Sequence, residues 1–403
     1  MTSKRKLAGL SALEKVSLWK GTLDFNLEIP RKLLSALGNP QNELRVIHIG
    51  GTNGKGSVSA MIAAGLIAAG HRVGQFTSPH LSSITERCLI DGNPVFPEIL
   101  NQSLEVVFQV AEDLEIEPSY FELITAATFL TFVKEKVDYA VIEVGLGGRL
   151  DATNTVERPL VSVITGVDFD HTHILGESLE EIAGEKAGIF RSGVQAVIGK
   201  VPMEVKKALI QSAEEIETPI KFVGERERLD SKLGLLGEHQ ISNSFTAIQV
   251  LECLGVSKEH IREGLERVRW PGRLEEIEHQ GKRIILDCAH NPGGMKVLCD
   301  FLKDRNPVFL LSILERKDWR RMLSSLPPDA DVVFTQSSHK SALAPETLQE
   351  ELGRGQAITD SNKALSAALS SLPADGSLVI AGSIYLVGEL REKLLGDEFS
   401  TYK

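Results

Sequence analysis

Cysteine is scarce in this chain of 403 residues: four thiols, at positions 88, 253, 288 and 299. None belongs to a Cys-x-x-Cys pair, which argues against a zinc site and against a disulfide framework. Free thiols in a reducing cytosol are the expected state, and a cytoplasmic location goes with them. Long apolar runs are also missing. The longest, Val58 to Ala69, is too short to span a bilayer and reads as a core helix. Met1 to Leu10 is basic, but no apolar segment follows it, so no signal peptide is expected. Positive charge is in deficit: 44 Lys and Arg face 55 Asp and Glu, a formal net charge of −11. That argues against a non-specific nucleic-acid binder and against a binder of acidic membranes. It leaves room for local basic pockets that take phosphates or polycarboxylates. Internal repeats and low-complexity tracts are not seen.

The composition that remains, 42% apolar and 25% charged, is that of a soluble globular enzyme long enough for two domains. Short apolar runs at Val46–Ile49, Val73–Phe76, Tyr139–Val144, Leu160–Ile164 and Ala196–Ile198 read as strands. Helical periodicity fits Pro97–Leu114, Phe121–Lys136, Leu179–Ile189, Met203–Glu215 and Ser242–Leu254. Alternation of this kind predicts an α/β fold, a parallel sheet with helices on both faces. Trp270-Pro271-Gly272-Arg273 and the polar stretch to Lys282 read as a linker at about 270–282. Beyond it the alternation restarts, with strands at Ile284–Leu286, Val308–Leu311, Val332–Phe334 and Leu378–Ile380. Helices are predicted at Gly293–Leu302, Pro345–Leu352, Asn362–Leu372 and Tyr385–Leu394. The expected division is 1–270 and 271–403: an N-terminal P-loop ATPase-like domain and a smaller C-terminal Rossmann-like domain.

The densest chemical signal is Arg45-Val46-Ile47-His48-Ile49-Gly50-Gly51-Thr52-Asn53-Gly54-Lys55-Gly56-Ser57. A strand, a glycine turn and a helix start are the context that a phosphate loop requires. Glycines let backbone N–H groups face an anion, and the helix N-terminus adds positive potential. Lys55 supplies a point charge for β/γ phosphates and Ser57 a hydroxyl for Mg²⁺. The standard spacing is not met: its first glycine falls on Ile49, and Gly56 separates lysine from serine.

Other polar groups stand at strand ends, where parallel sheets bind ligands. Glu143 closes an apolar strand ahead of Gly145, Gly147 and Gly148, a placement suited to Mg²⁺. His171, beside Asp170, suits a second metal or a general base. Lys186, in an apolar helix pattern, either snorkels to solvent or is held near the site for its charge. Asp287-Cys288-Ala289-His290-Asn291-Pro292 ends a strand of the second domain, and Arg273 sits in the linker.

With these motifs in view, the chain resembles the folylpolyglutamate synthase/dihydrofolate synthase family of the Mur ligase superfamily, over nearly its whole length. The resemblance rests on Gly51 to Ser57, Thr77-Ser78-Pro79-His80-Leu81, Phe121-Glu122-Leu123-Ile124-Thr125 and the Glu143 to Asn154 block. It also rests on Asp170-His171, Glu185-Lys186-Ala187-Gly188-Ile189, His239-Gln240-Ile241-Ser242-Asn243, Trp270 to Arg273, Asp287 to Pro292 and Gly382 to Glu389.

The resemblance implies an ATP-dependent ligase that joins L-glutamate to dihydropteroate, to folates, or to both, through an acyl phosphate. It implies that Gly54, Lys55, Gly56 and Ser57 cradle ATP, and that Asn243, Arg273, Asp287 and His290 bind the nucleotide as well. Ser78 and Glu143 would hold one Mg²⁺, and Glu143 with His171 would help to place a second. Lys186 would carry a carbamate. The pterin-bearing acid would lie along Asp24 and Leu27, Thr77, Pro79 and His80, Phe121, and Leu150, Asp151 and Ala152. A monovalent cation and a monomeric state are further expectations. The family pattern is departed from at Ser312 to Asp318 and at Thr335 to Ala342, where glutamate contacts are expected. The alternative is a Mur-type ligase acting on a peptidoglycan precursor. A nucleotide-switch binding module is the reading from a different class.

Overall fold

The computed structural model describes residues 7–16, 26–224, 229 and 232–396. They fall into two compact units, each an α/β layer structure. The first holds residues up to Pro79, Ile84–Gly234 and Ile241–Val268; the second holds His80–Ser83, Leu235–Gln240 and Arg269 onward.

The first unit is built on eight strands: β1 Val46–Gly50, β2 Val73–Phe76, β3 Cys88–Ile90, β4 Asn93–Pro94, β5 Tyr139–Glu143, β6 Val161–Ile164, β7 Ala196–Ile198 and β8 Ile220–Phe222. Their spatial order is β4-β3-β2-β5-β1-β6-β7-β8. The six strands from β2 to β8 in that order run parallel. β3 and β4 extend the sheet antiparallel, so it is mixed rather than purely parallel. β1 is buried along its whole length, as expected of a strand covered on both faces. Helix Lys55–Ala68 opens directly from the turn after β1 and is buried nearly all round, which is why its sequence lacks a polar face. Helices Pro97–Asp113 and Tyr120–Lys134 pack together over the core that holds Phe76, Phe129, Phe132 and Ile142. Ser119 and Glu122 form a reciprocal capping box at the start of the second of these helices. Ser178 and Glu181 do the same for helix Leu179–Ala187, which carries Lys186.

The second unit has six strands: β9 Glu275–His279, β10 Lys282–Leu286, β11 Pro307–Leu311, β12 Asp331–Phe334, β13 Gln356–Ala357 and β14 Ser377–Ala381. The order is β13-β12-β11-β14-β10-β9. All pairs are parallel except β9 with β10. The polar stretch after Glu275, expected to be linker, is therefore an antiparallel edge strand and its turn. Its charged side chains suit an edge, which only one neighbour covers.

None of the described helices is long and apolar enough to cross a membrane. All four cysteines are free thiols; Cys88, Cys288 and Cys299 are buried and Cys253 is exposed.

Candidate active site

The turn from β1 into helix Lys55–Ala68 is held open by its glycines. Gly54 has φ +86°, and a methyl group there would sit 2.7 Å from Asn243 Oδ1. Gly51 has φ +142°, and a methyl group would meet Thr165 Oγ1 at 2.1 Å. No other residue meets both the backbone angle and the close approach. The end of β6 braces this loop. Thr165 Oγ1 donates to the Asn53 carbonyl at 2.7 Å, the Thr52 N–H donates to the Gly166 carbonyl at 2.8 Å, and the Asp168 N–H donates to Thr52 Oγ1 at 3.1 Å. Lys55 Nζ folds back over the loop and donates to the carbonyls of Gly51 and Thr52 at 3.1 and 3.2 Å. Ser57, in the first turn of the helix, is buried.

Four strands on in sequence but adjacent in the sheet, β5 brings Glu143 level with Ile49. Glu143 is buried and accepts a hydrogen bond from the Thr77 hydroxyl at the end of β2. Ser78 and Pro79 follow through a cis peptide bond. Among the described residues no three of His, Cys, Asp and Glu converge as a metal cage. A buried carboxylate with hydroxyls nearby is instead the hard-oxygen donor set that fits Mg²⁺, an ion that keeps waters and phosphate oxygens as its other ligands.

Lys186 is 2% exposed, so it does not snorkel. Burial, and then the charge of Lys55, lower its amine from 10.5 to about 7, with Asp170 acting in the opposite sense. Helix Leu179–Ala187 reaches this position because Gly148, in the turn after Glu143, lets backbone meet backbone. A methyl group on Gly148 would lie 2.7 Å from the Glu185 carbonyl and 2.9 Å from that of Lys186. The Arg149 N–H donates to the Glu185 carbonyl at 2.8 Å, and the two side chains form an ion pair at 2.8 Å. His171 has φ +51° and stands before the short helix Thr172–Leu175, with its Nε2 3.8 Å from Asp170 Oδ1.

The same glycine-rich turn approaches Phe121, whose ring would lie 2.5 Å from a methyl on Gly145. Phe121 also packs on Phe76 with ring centres 5.8 Å apart. Asp151 is buried in this neighbourhood and accepts from the Leu146 N–H at 2.9 Å and the Thr153 N–H at 3.0 Å. Burial raises its carboxyl above the usual range, and these donors, with the Thr153 hydroxyl, pull it back toward the ionised form. Leu150 is half-buried and Ala152 is buried.

In the second unit, Asp287 directly follows β10. It is buried and accepts from the N–H groups of Leu274 and Ala289 at 2.9 and 2.8 Å. Burial raises its carboxyl and the nearby Arg273 charge lowers it. Arg273 also acts on His239, which burial and that charge push down to about 4. His290 Nδ1 bonds with the Cys288 carbonyl at 2.8 Å. The segments Ser312–Asp318 and Thr335–Ala342 meet at the ends of β11 and β12. The Glu315 N–H donates to the Ser341 carbonyl at 2.9 Å, and the His339 ring lies 4.4 Å from that of Tyr385.

The Mur ligase middle domain matches residues 49–227, and the Mur ligase glutamate ligase domain matches 272–384. The dihydrofolate synthase/folylpolyglutamate synthase of Bacillus subtilis is 32% identical, over 90% of this chain and 94% of that protein. The chain belongs to the folylpolyglutamate synthase/dihydrofolate synthase family. Solved members of this family superpose closely. Escherichia coli FolC in complex with DHPP and ADP gives a TM-score of 0.88 at 30% identity, over 97% of this chain and 98% of that one. The Yersinia pestis bifunctional enzyme with Mn, AMPPNP and L-glutamate bound gives 0.86 at 29% identity, over 96% and 98%.

Of the residues that the family resemblance singles out, the first unit brings two groups together. Lys55 shares one electrostatic neighbourhood with Lys186 and Asp170, and Gly54 lies against Asn243. Phe121 and Asp151 share the turn that follows Glu143. Leu27 heads helix Glu28–Ala36, which packs on helix Tyr120–Lys134. Asp24 lies outside the described residues. The Thr77–Leu81 segment is divided, with Thr77 to Pro79 in the first unit and His80 in the second. Thr165 was missed; its only sequence signal is a hydroxyl directly after a strand end.

Proposed function

We propose that this family member is an ATP-dependent ligase that joins L-glutamate to the carboxylate of a pteroate-type acid: dihydropteroate, a folate already carrying glutamate, or both. The observation that carries the proposal is the meeting, at the carboxyl edge of the first sheet, of the glycine loop with Lys55, the buried Glu143 and the buried Lys186. ATP and a divalent metal are the coreagents, in keeping with the nucleotide and Mn complexes of relatives. Two Mg²⁺ sites, a monovalent cation, a monomeric state and a cytoplasmic location are part of the same proposal. The peptidoglycan-precursor alternative has support only from the superfamily-level domain matches.

A carboxylate does not acylate an amine in water, because it lacks a leaving group. Transfer of the ATP γ-phosphoryl group to the carboxylate oxygen supplies one. Phosphoryl transfer needs positioning and charge neutralisation more than covalent help. Loop N–H groups and the start of helix Lys55–Ala68 face the anion. Lys55 exchanges its two carbonyl partners for charge-assisted bonds to phosphate. Glu143, Ser57 and Ser78 are the proposed holders of one Mg²⁺, and His171 helps with another; bound metal would offset the charge that grows on the transferring oxygens. The Lys186 amine, pushed down to about 7 by burial and the Lys55 charge, is fit to add CO₂ and lose a proton. The resulting carbamate turns a cation that repels Mg²⁺ into an anion that attracts it. Phe121, Leu150, Asp151 and Ala152, with Asp24, Leu27, Thr77, Pro79 and His80, are the proposed contacts of the acid. Asn243 in the first unit, and Arg273, Asp287 and His290 in the second, are the proposed further nucleotide contacts. The amine of glutamate then attacks the acyl phosphate, the carbonyl carbon passes through a tetrahedral intermediate, and phosphate leaves.

The test is ADP release in the presence of Mg²⁺, L-glutamate and either dihydropteroate or a reduced folate monoglutamate. Release that depends on at least one of these acids supports the assignment. Release with neither, or only with a uridine-nucleotide peptidoglycan precursor, refutes it.

A further inference from the structure

His48 sits in the middle of β1, between Ile47 and Ile49, and is fully buried. A central strand of a parallel sheet ordinarily carries an aliphatic residue here. One ring nitrogen, Nδ1, has no hydrogen-bond partner. A buried nitrogen left without a partner loses its hydration and gains nothing in return, so the imidazole is a poor choice for packing alone. Nε2 lies 2.9 Å from Thr153 Oγ1, which is itself fully buried.

The direction of this chain of bonds follows from proton count. Thr153 Oγ1 donates its single proton to Asp151 Oδ1 at 2.5 Å. It therefore accepts from His48, whose proton is on Nε2 and whose orphan atom is the Nδ1 lone pair. Burial, and then the charge of Arg191, push the imidazole down to about 3, so it stays neutral at working pH. Asp151 spends its second oxygen on the Leu146 N–H at 2.9 Å, inside the glycine-rich turn. One histidine beneath the phosphate loop thus sets a hydroxyl, the hydroxyl sets a carboxylate, and the carboxylate sets the turn that follows Glu143.

We propose that His48 is a positioning residue: acting through Thr153, it holds the Asp151 carboxylate and the Gly145–Ala152 turn in the orientation that receives the acid substrate. This rests on the assignment of Asp151 to the acid under the proposed function. Without the Nε2 donor, the Thr153 hydroxyl is free to rotate toward a backbone carbonyl, and Asp151 loses one of the bonds that orient it.

The experiment compares His48→Leu, His48→Gln and Asp151→Asn by steady-state kinetics and thermal melting. Leucine fills the strand position and removes the orphan nitrogen, so the melting point holds or rises. The KM for the acid rises about ten-fold, while the KM for ATP stays within about two-fold. Glutamine, whose amide nitrogen reaches the place of Nε2, restores the acid KM. In the double variant the His48→Leu effect disappears, because its route runs through Asp151. Should His48→Leu fail to accumulate, Thr153→Val reads the same link and gives the same acid-specific rise. An unchanged acid KM in His48→Leu or Thr153→Val, with a raised one in Asp151→Asn, overturns the proposal alone. So does an equal rise for ATP, or a loss of activity that simply follows a lower melting point. An unchanged acid KM in Asp151→Asn overturns the site assignment and the proposal with it.

Discussion

Gly148→Ala tests whether Lys186 owes its place to one close approach of backbone. The added methyl would lie 2.7 Å from the Glu185 carbonyl oxygen, 2.9 Å from that of Lys186 and 3.1 Å from the Lys186 Cα. All three neighbours are helix backbone, which cannot rotate away. Ordinary van der Waals contact begins near 3.4 Å, so the turn and the helix must part by about 0.7 Å at the closest point. Overpacking of this size costs about 1–3 kcal/mol. It also stretches the 2.8 Å bond from the Arg149 N–H to the Glu185 carbonyl. Because a misplacement of about 1 Å can cost about a hundred-fold in rate, a shift of this size is expected to lower kcat by ten-fold or more. The control lies on the same helix. Gly184 has nothing within 4 Å of an added methyl, so Gly184→Ala should keep wild-type kcat. Relief of helical glycine should add about 0.5–1 kcal/mol of stability. Steady-state kcat and melting points of the two variants, side by side, decide the matter. A Gly148→Ala enzyme with unchanged kcat, or equal losses in both variants, would refute the reasoning.

Two further outcomes follow from buried charge. In CO₂-free buffer, Lys186→Met should be more stable than the parent. The folded amine titrates near 7 and the unfolded one near 10.5, so the gain is full below about pH 7 and fades as pH rises through that window. Added bicarbonate should stabilise the parent and leave the variant unmoved, and the variant should lose most activity; a parent indifferent to bicarbonate contradicts the carbamate. In the second unit, Arg391 makes a bidentate pair with Glu275, which also accepts from the Gly272 N–H at 2.8 Å. Arg391→Met strands that carboxylate and should cost about 3 kcal/mol in urea unfolding. Arg391→Met with Glu275→Leu should recover most of the loss, and an additive double variant would show that the pair is not coupled.

The parts that sequence made legible are those whose chemistry is local. A strand running into Gly51–Ser57 needs no tertiary partner to declare a phosphate loop, and the alternation of apolar runs with helical periods reveals the two α/β units. β9 escaped because its alternating charges suit an edge strand and equally suit a linker. The hairpin of β3 and β4 was missed because strands of two or three residues carry no period. Helix Lys258–Arg267 was overlooked because it is mostly charged, and its buried residues are Ile261, Gly264 and Leu265. The burial of Lys186 was equally hidden: a lysine in an apolar helix pattern can snorkel to solvent, and only tertiary packing, with Gly148 against this helix, decides that it does not. His48 reads as one polar residue in an apolar strand until Thr153 and Asp151 are brought to it from about a hundred residues away.

The central claim is that this chain activates a carboxylic acid by phosphorylating it. Isotope transfer tests this most directly. With dihydropteroate or a folate labelled with ¹⁸O in the reacting carboxylate, plus ATP, Mg²⁺ and L-glutamate, one ¹⁸O should appear in each phosphate released, because the acid's oxygen leaves bonded to phosphorus. Amide formation with unlabelled phosphate would contradict the account.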